Sequence, residues 1–391
     1  MTKFLNFIKK TYKLLLYIIV LLAPIYRLVP SLPILNISIF SLVLVAFFLV
    51  TFLNILLFKF EAKRFIISLI FFSALLTSFI YSVLVYKSVN SGMFILLMFL
   101  FSILFCPDYL ENRDKDNVVL SFFASSWFSG IFSVYYGFLK NGGVKRTGGI
   151  IDGSLCIVVL CLILFYEFKN YNKKMINVLR FLSFFSSLII LGFGMSRTRI
   201  VIFFLLILLK GMQKVLSFNL LSTINVNKFY IGLFSFVGII FVCMIFSNQI
   251  SQLLYVIGTR FDEGTVDLTR NIEINYGLNL FRKNYFLGSG WGDFYYIDQY
   301  NSEVLYNNHC FYVAILARGG LLSFLCFCIY ILYLLVDSIK EKNRINYILI
   351  TCVLLLSLAN AGLFNYTICL FMFLIILFLK EKTSSQNLQL S

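Results

Sequence analysis

Apolar residues in this chain fall in long unbroken runs, and polar residues gather in islands between them. Runs of spanning length lie at about 14–31, 36–58, 65–86, 92–106, 118–139, 153–168, 178–195, 199–214, 228–247, 308–336, 346–362 and 364–379. About 20 apolar residues in a helix cross a hydrocarbon core of about 30 Å, where only helices and closed barrels satisfy their own backbone. The pattern predicts an all-α polytopic membrane protein, one integral domain over 1–391 with about 12 transmembrane helices. The run from 199 is short before Lys210, and the last two runs must turn near Asn360 to Asn365.

One polar island is far larger than the others. Residues 248–307 are rich in Asn, Tyr and Gly and carry Asp262, Glu263, Asp267, Glu273, Asp293, Asp298 and Glu303. Its aromatic content argues for a folded loop rather than a disordered one. Ile272, Tyr276 and Leu280, with Ile274, Leu278 and Phe281, have helical spacing over about 270–283, and Asp267 or Thr269 can cap that helix. Leu287-Gly288-Ser289-Gly290-Trp291-Gly292 then reads as a tight turn. A polar tail covers 383–391.

Composition adds a solvent. With 60% hydrophobic and 13% charged residues and a mean hydropathy of +0.92, the chain has roughly half the charge that coats a soluble domain, which excludes one. The net charge of +16 comes from basic residues placed between the apolar runs, so it reads as a topology signal; no nucleic-acid partner is expected, and the lipid bilayer is. Basic loops stay cytoplasmic, and an inside N-terminus puts Lys9, Lys13, Lys59, Arg64, Arg113, Lys173, Arg180, Lys214, Lys340 and Lys380 on one side. Both termini are then cytoplasmic and 248–307 is extracytoplasmic. Lysines before the first run imitate a secretory signal, but no small-residue cleavage site follows, so an uncleaved first span is expected. Of nine cysteines, Cys156, Cys161, Cys243, Cys326, Cys328, Cys352 and Cys369 lie inside apolar runs, without metal-site spacing.

Basic residues on the outer side are few and concentrated. Arg197 and Arg199 lie between two apolar runs, where two readings stand: long cations snorkelling to headgroups, or a guanidinium pair clamping a diphosphate. Arg146, before Thr147-Gly148-Gly149, is a second candidate anion contact or a solvated loop residue. Arg260 has Asp262 and Glu263 as local partners, whereas Arg270 opens the predicted helix. His309, the one histidine, sits where the large loop re-enters the apolar region, as a structural hydrogen-bonder or a general base with an ordinary pKa of about 6.5. Without clustered His, Cys or Asp ligands, an Asp-x-Asp pair or a phosphate loop, no metal, nucleotide or other cofactor is expected.

In order, Arg146-Thr147-Gly148-Gly149, Ser196-Arg197, the large loop with Arg270, Leu287-Gly288-Ser289-Gly290, and His309 followed by Gly320 resemble the O-antigen ligase and O-antigen/capsule polysaccharide polymerase superfamily over about 145–325. Departures are Cys310 where the family has Asn, Tyr285-Phe286 where a proline precedes the turn, and Ser323 where a second glycine follows. The resemblance implies a metal-independent inverting glycosyltransferase of the bacterial plasma membrane, with an extracytoplasmic active site, working on undecaprenyl-diphosphate-linked oligosaccharide. A chain-length regulator and a flippase in the same membrane are the implied protein partners. The implied roles are catalytic for His309, Arg270 and Arg197, and substrate-binding for Arg199, Arg146, Arg260, Trp291 and Asp293. His309 could instead hold a phosphate oxygen, with Asp293 or Glu303 as base; Tyr295, Tyr296, Tyr300 and Tyr306 are stacking candidates. A polymerase is preferred to a ligase acting on lipid A core. A flippase is disfavoured, because no two-fold internal repeat and no mid-span charge cluster is visible.

Overall fold

The computed structural model describes residues 2–32, 37–58, 60–87, 90–140, 147, 150–194, 196–216, 268–298, 302–306, 310–341, 343–359 and 365–379. The helices are α1 (Thr2–Leu22), α2 (Ile39–Leu57), α3 (Ala62–Tyr86), α4 (Ser91–Leu104), α5 (Asn112–Val134), α6 (Leu155–Phe165), α7 (Lys173–Gly194), α8 (Arg197–Leu216), α9 (Leu268–Lys283), α10 (Phe311–Lys340), α11 (Arg344–Ala359) and α12 (Tyr366–Leu379). Two short helical extensions, Ala23–Leu28 after α1 and Tyr135–Leu139 after α5, and two antiparallel strand pairs, β1 (Ser31–Leu32) with β2 (Ile37–Ser38) and β3 (Tyr295–Ile297) with β4 (Glu303–Leu305), complete the described elements.

Among the described residues six helices are long and apolar enough to cross a membrane: Thr2–Leu28, Ile39–Leu57, Ala62–Val85, Asn112–Leu139, Lys173–Gly194 and Phe311–Lys340. Each of the expected runs has a helix except 228–247, which lies outside the described residues. Boundaries differ where side chains override the apolar pattern. The first helix starts at Thr2 rather than near 14, because its lysines find partners: Lys13 pairs with Asp114 at 2.8 Å and Lys9 lies over the Phe58 and Tyr109 rings. Conversely, α6 has only 11 residues, about 16 Å, too short to cross alone.

The short helices are the interior and the long ones the wall. Leu155 to Leu162 of α6 and Ile368 to Leu377 of α12 are fully buried, as expected of helices apolar on every side. The wall turns apolar residues outward, as in the stripe Leu321, Leu325, Ile329, Leu332, Val336 and Ile339 down α10. Such a surface is the inverse of a water-soluble one. Polar residues instead line helix contacts: α5 meets α7 through Ser126, Ser129, Gly130, Ser183 and Ser186, with the Trp127 indole donating to Ser183 Oγ at 3.0 Å. Small residues let the backbones approach closely.

Cross-contacts fix the helix directions. Lys13 with Asp114, Arg64 with Asp108, Tyr109 with Asn54, Tyr166 with Asp116, Tyr166 with Phe378 and Lys210 with Phe165 gather at one end. At the other end lie Tyr26 with Phe40 and Tyr366, and Arg199 with Asp152. Odd-numbered helices α1 to α7 run from the first end to the second and even-numbered ones return. Asp116, fully buried, accepts from Tyr166 Oη (2.8 Å), Asn170 N–H (3.0 Å) and Asn170 Nδ2 (2.8 Å), and so ties the α6–α7 connection to α5. Asp116→Ala strands these donors and is expected to cost about 3 kcal/mol; a lowered thermal midpoint of the detergent-solubilised protein checks this.

Candidate functional site

Of the residues singled out by sequence, the described ones form two groups at the second end of the bundle. The first surrounds the entrance to α6. Thr147 N–H donates to Phe193 O (3.0 Å), Ile150 and Ile151 N–H to Thr147 O (2.8 and 3.0 Å), and Asp152 N–H to Pro24 O (2.9 Å). The segment is thus wedged between the ends of α1 and α7. Asp152 Oδ1 accepts Ser154 N–H at 2.9 Å and faces Arg199 Nη2 at 3.6 Å. Both side chains are at most one-tenth exposed, and Arg199 is turned inward to a carboxylate rather than snorkelling outward. A Cβ on Gly153 would stand 2.5 Å from Arg199 Nη1, so the glycine leaves room for the guanidinium.

Arg197 is half-buried, one turn from Gly194, at the start of α8. No acidic residue occupies the first turn of that helix, so its positive dipole end and two guanidinium groups reinforce one another. Such an end favours an anion.

The second group is organised by a break in α10. At Gly320 the backbone adopts φ 67°, ψ −171°, splitting the helix. The loop before it fills the break: Ser289 N–H donates to Ala317 O (2.7 Å), Gly290 N–H to Arg318 O (3.1 Å), Leu321 N–H to Tyr285 O (2.8 Å) and Leu322 N–H to Phe286 O (3.2 Å). Ser78 Oγ of α3 donates within reach of both Leu287 O (3.0 Å) and Arg318 O (2.8 Å). Gly288 and Gly290 also have positive φ, at 74° and 94°. Gly288 passes directly against the Arg318 and Gly320 backbone, where no side chain fits.

Trp291 and Asp293 continue from this turn. The Trp291 ring is 1% exposed; its indole N–H donates to Ser78 Oγ (3.1 Å) and its backbone N–H to Ser82 Oγ (2.8 Å). It is therefore a packing anchor, with no open face for a sugar. Asp293 is exposed and accepts from Asn90 Nδ2 at 2.5 Å, while Asn90 Oδ1 caps α4 through Met93 N–H at 3.2 Å. Of the expected stacking tyrosines, Tyr295 is exposed on β3, Tyr296 and Tyr306 are buried, and Tyr300 lies outside the described residues.

Arg270 begins α9, whose helix was expected over about the same residues. Its deepest positions are Glu273, Gly277 and Leu280 rather than an Ile272–Tyr276–Leu280 face, because Tyr306 and Val313 press against Gly277. Tyr276, Tyr296 and Tyr306 pack ring against ring, with centroids 5.7 and 5.8 Å apart. Burial raises the Tyr306 and Tyr276 hydroxyls above the usual phenol range, against an opposing pull from Arg318, so both remain neutral donors at physiological pH. Arg146, Arg260 and His309 lie outside the described residues.

Sequence reasoning missed Arg318 and Asp152. Arg318 is 2% exposed, donates from Nη1 to Gly292 O at 2.9 Å and lies over the Phe294 and Tyr306 rings at 5.3 and 5.6 Å. A lone arginine before two glycines in an apolar run was the available signal. Asp152, just before an apolar run, had the place of a helix-start residue. No cluster of three or more potential metal ligands occurs among the described residues. Neither a family model nor a curated protein sequence matches the chain.

Gly320→Ala and Gly288→Ala each force a side chain into a positive-φ site against backbone; a loss of about 1–3 kcal/mol is expected. Gly211→Ala, which meets open space on α8, leaves the thermal midpoint unchanged or raised.

Proposed function

We propose that the chain is a polysaccharide polymerase of the bacterial plasma membrane, an inverting glycosyltransferase that takes glycan from undecaprenyl diphosphate and joins it to a sugar hydroxyl of another lipid-linked repeat unit. The proposal includes the twelve-span topology with both termini cytoplasmic. α8 ends at the Lys210 end of the bundle and α9 lies at the other, and the apolar run 228–247 is proposed as the ninth span.

One observation carries the reading. Tyr306 and Cys310, which flank His309 in sequence, lie against α9, the helix that Arg270 opens, and both stand at the end of the bundle where Arg197 and Arg199 begin α8. The described residues of the motif series thus share one end of an apolar helical body. That end suits a substrate whose prenyl tail stays among lipid while its diphosphate and sugars project into water.

The chemistry needs little else. A diphosphate on the anomeric carbon is already a good leaving group, and cations near it stabilise the charge that develops as the glycosidic bond breaks. In this reading Arg197 and Arg270 bind those oxygens, and Asp152 holds Arg199 in place beside them. His309 removes the proton of the attacking hydroxyl, which approaches from the face opposite the lipid. Arg146, Arg260 and Asp293 contribute to glycan and diphosphate binding around this centre.

Arg197→Ala, Arg270→Ala and His309→Ala are each expected to lower chain lengthening by about 100-fold or more, with the protein still in the membrane; a normal polysaccharide ladder on gels from any one of them removes that residue from the mechanism. Deletion of the gene separates the reaction classes: one-repeat glycans are expected, whereas long unattached glycan indicates a ligase and absence of exported glycan a flippase. Activity on purified lipid-linked substrate is expected to survive excess EDTA, and loss restored by a divalent metal contradicts the metal-free chemistry.

A further inference from the structure

At the opposite end of the bundle the structure builds a second cationic site. A pocket of about 330 Å³ is lined by Glu167, Phe168, Tyr171, Lys173, Asn177 and Arg180. Its walls are fixed by Asp116 and Asn117 of α5. Asp116 holds Tyr166 and both backbone and side chain of Asn170, and Asn117 Oδ1 accepts from Tyr171 Oη at 2.6 Å. Arg180 donates through Nη2 to the Tyr166 carbonyl and stacks over Phe168, with ring centroid 5.8 Å away. Its Nε is buried there with no hydrogen-bond partner.

The charges do not cancel. Glu167 is the one carboxylate in the lining, against Lys173 and Arg180. Lys173 opens α7, whose first turn contains no acidic residue, so the positive helix end adds to the two cations. A preformed pocket with a surplus of cations and an unmatched N–H donor fits a phosphate-type anion.

The surroundings specify what carries the anion. Beyond the pocket, α7 presents Val178, Phe181, Phe185 and Leu188 as an exposed apolar stripe at helical spacing. This stripe runs toward the middle of the bundle about a quarter-turn round α7 from the pocket-lining Lys173, Asn177 and Arg180. A free phosphate ion makes no use of it, whereas acyl chains cover it.

We infer that this pocket binds the phosphate headgroup of an anionic phospholipid, its chains lying along α7. The site faces the leaflet opposite the one served by the Arg197–Arg199 end, and 22 residues of α7, about 33 Å of helix, separate the two. It stands independently of the catalytic reading, because none of its residues belongs to that machinery.

The full chain, purified in detergent and exposed to equal amounts of phosphatidylglycerol and phosphatidylcholine, is examined by native mass spectrometry. Wild type is expected to retain phosphatidylglycerol about tenfold over phosphatidylcholine. Lys173→Gln, at the exposed start of α7, and Arg180→Gln are each expected to reduce that preference several-fold; Lys10→Gln, exposed on α1, leaves it unchanged. Phe181→Ser is expected to weaken retention of both lipids. Equal retention of the two lipids by wild type, or an unchanged preference in both Lys173→Gln and Arg180→Gln, overturns the site. Displacement of phosphatidylglycerol by millimolar inorganic phosphate overturns the lipid assignment and leaves a simple anion site.

Discussion

The structure depends on how α10 survives being broken. In a low-dielectric interior an unpaired carbonyl or amide costs several kcal/mol, and the positive-φ turn at Gly320 exposes groups of both kinds. The Tyr285–Gly290 segment supplies donors to Ala317 O and Arg318 O and acceptors for Leu321 and Leu322 N–H. This segment is consequently part of the helical body, rather than a cover laid over it. From that inlay follow the burial of Trp291 on Ser78 and Ser82, the Asn90–Asp293 contact and the position of α9.

Elsewhere in the described residues buried charged groups are matched to partners, and apolar side chains face outward. Arg199 meets Asp152, Arg64 meets Asp108, and Asp116 collects three donors. The short helices α6 and α12 are enclosed by longer ones, so the irregular backbone that precedes α6 is surrounded by protein. Charge collects at both ends, and each end is organised around arginines and the groups that hold them.

Much of this was readable from the chain because apolar runs in a membrane protein are long and nearly uninterrupted. Eleven expected runs coincide with helices, and the helix opened by Arg270 was visible from its spacing. What escaped depends on partners remote in sequence. Nothing near Lys9 or Lys13 reveals that α5 and the Tyr109 loop stabilise a helix from Thr2, and nothing near Trp291 reveals the serines of α3 that bury it. Arg318 was hidden by its apolar neighbours, and Gly277 holds a deep position because Tyr306 needs the space. The Leu287–Gly292 stretch was readable as a tight turn, but nothing in it reveals that two of its glycines, Gly288 and Gly290, have positive φ and pack against backbone and Ser82 in the interior.

The central claim is that the end bearing the glycine inlay and the Arg197–Arg199 pair faces the cell exterior, and the end bearing Asp116 and Arg180 faces the cytoplasm. Its most direct test is labelling by a membrane-impermeant maleimide in intact cells, with Ile297→Cys or Lys169→Cys placed in a chain whose Cys243, Cys310, Cys326 and Cys328 are replaced by serine. The account predicts labelling at position 297 without permeabilisation and at 169 only after it; labelling at 169 in intact cells with 297 protected would contradict it.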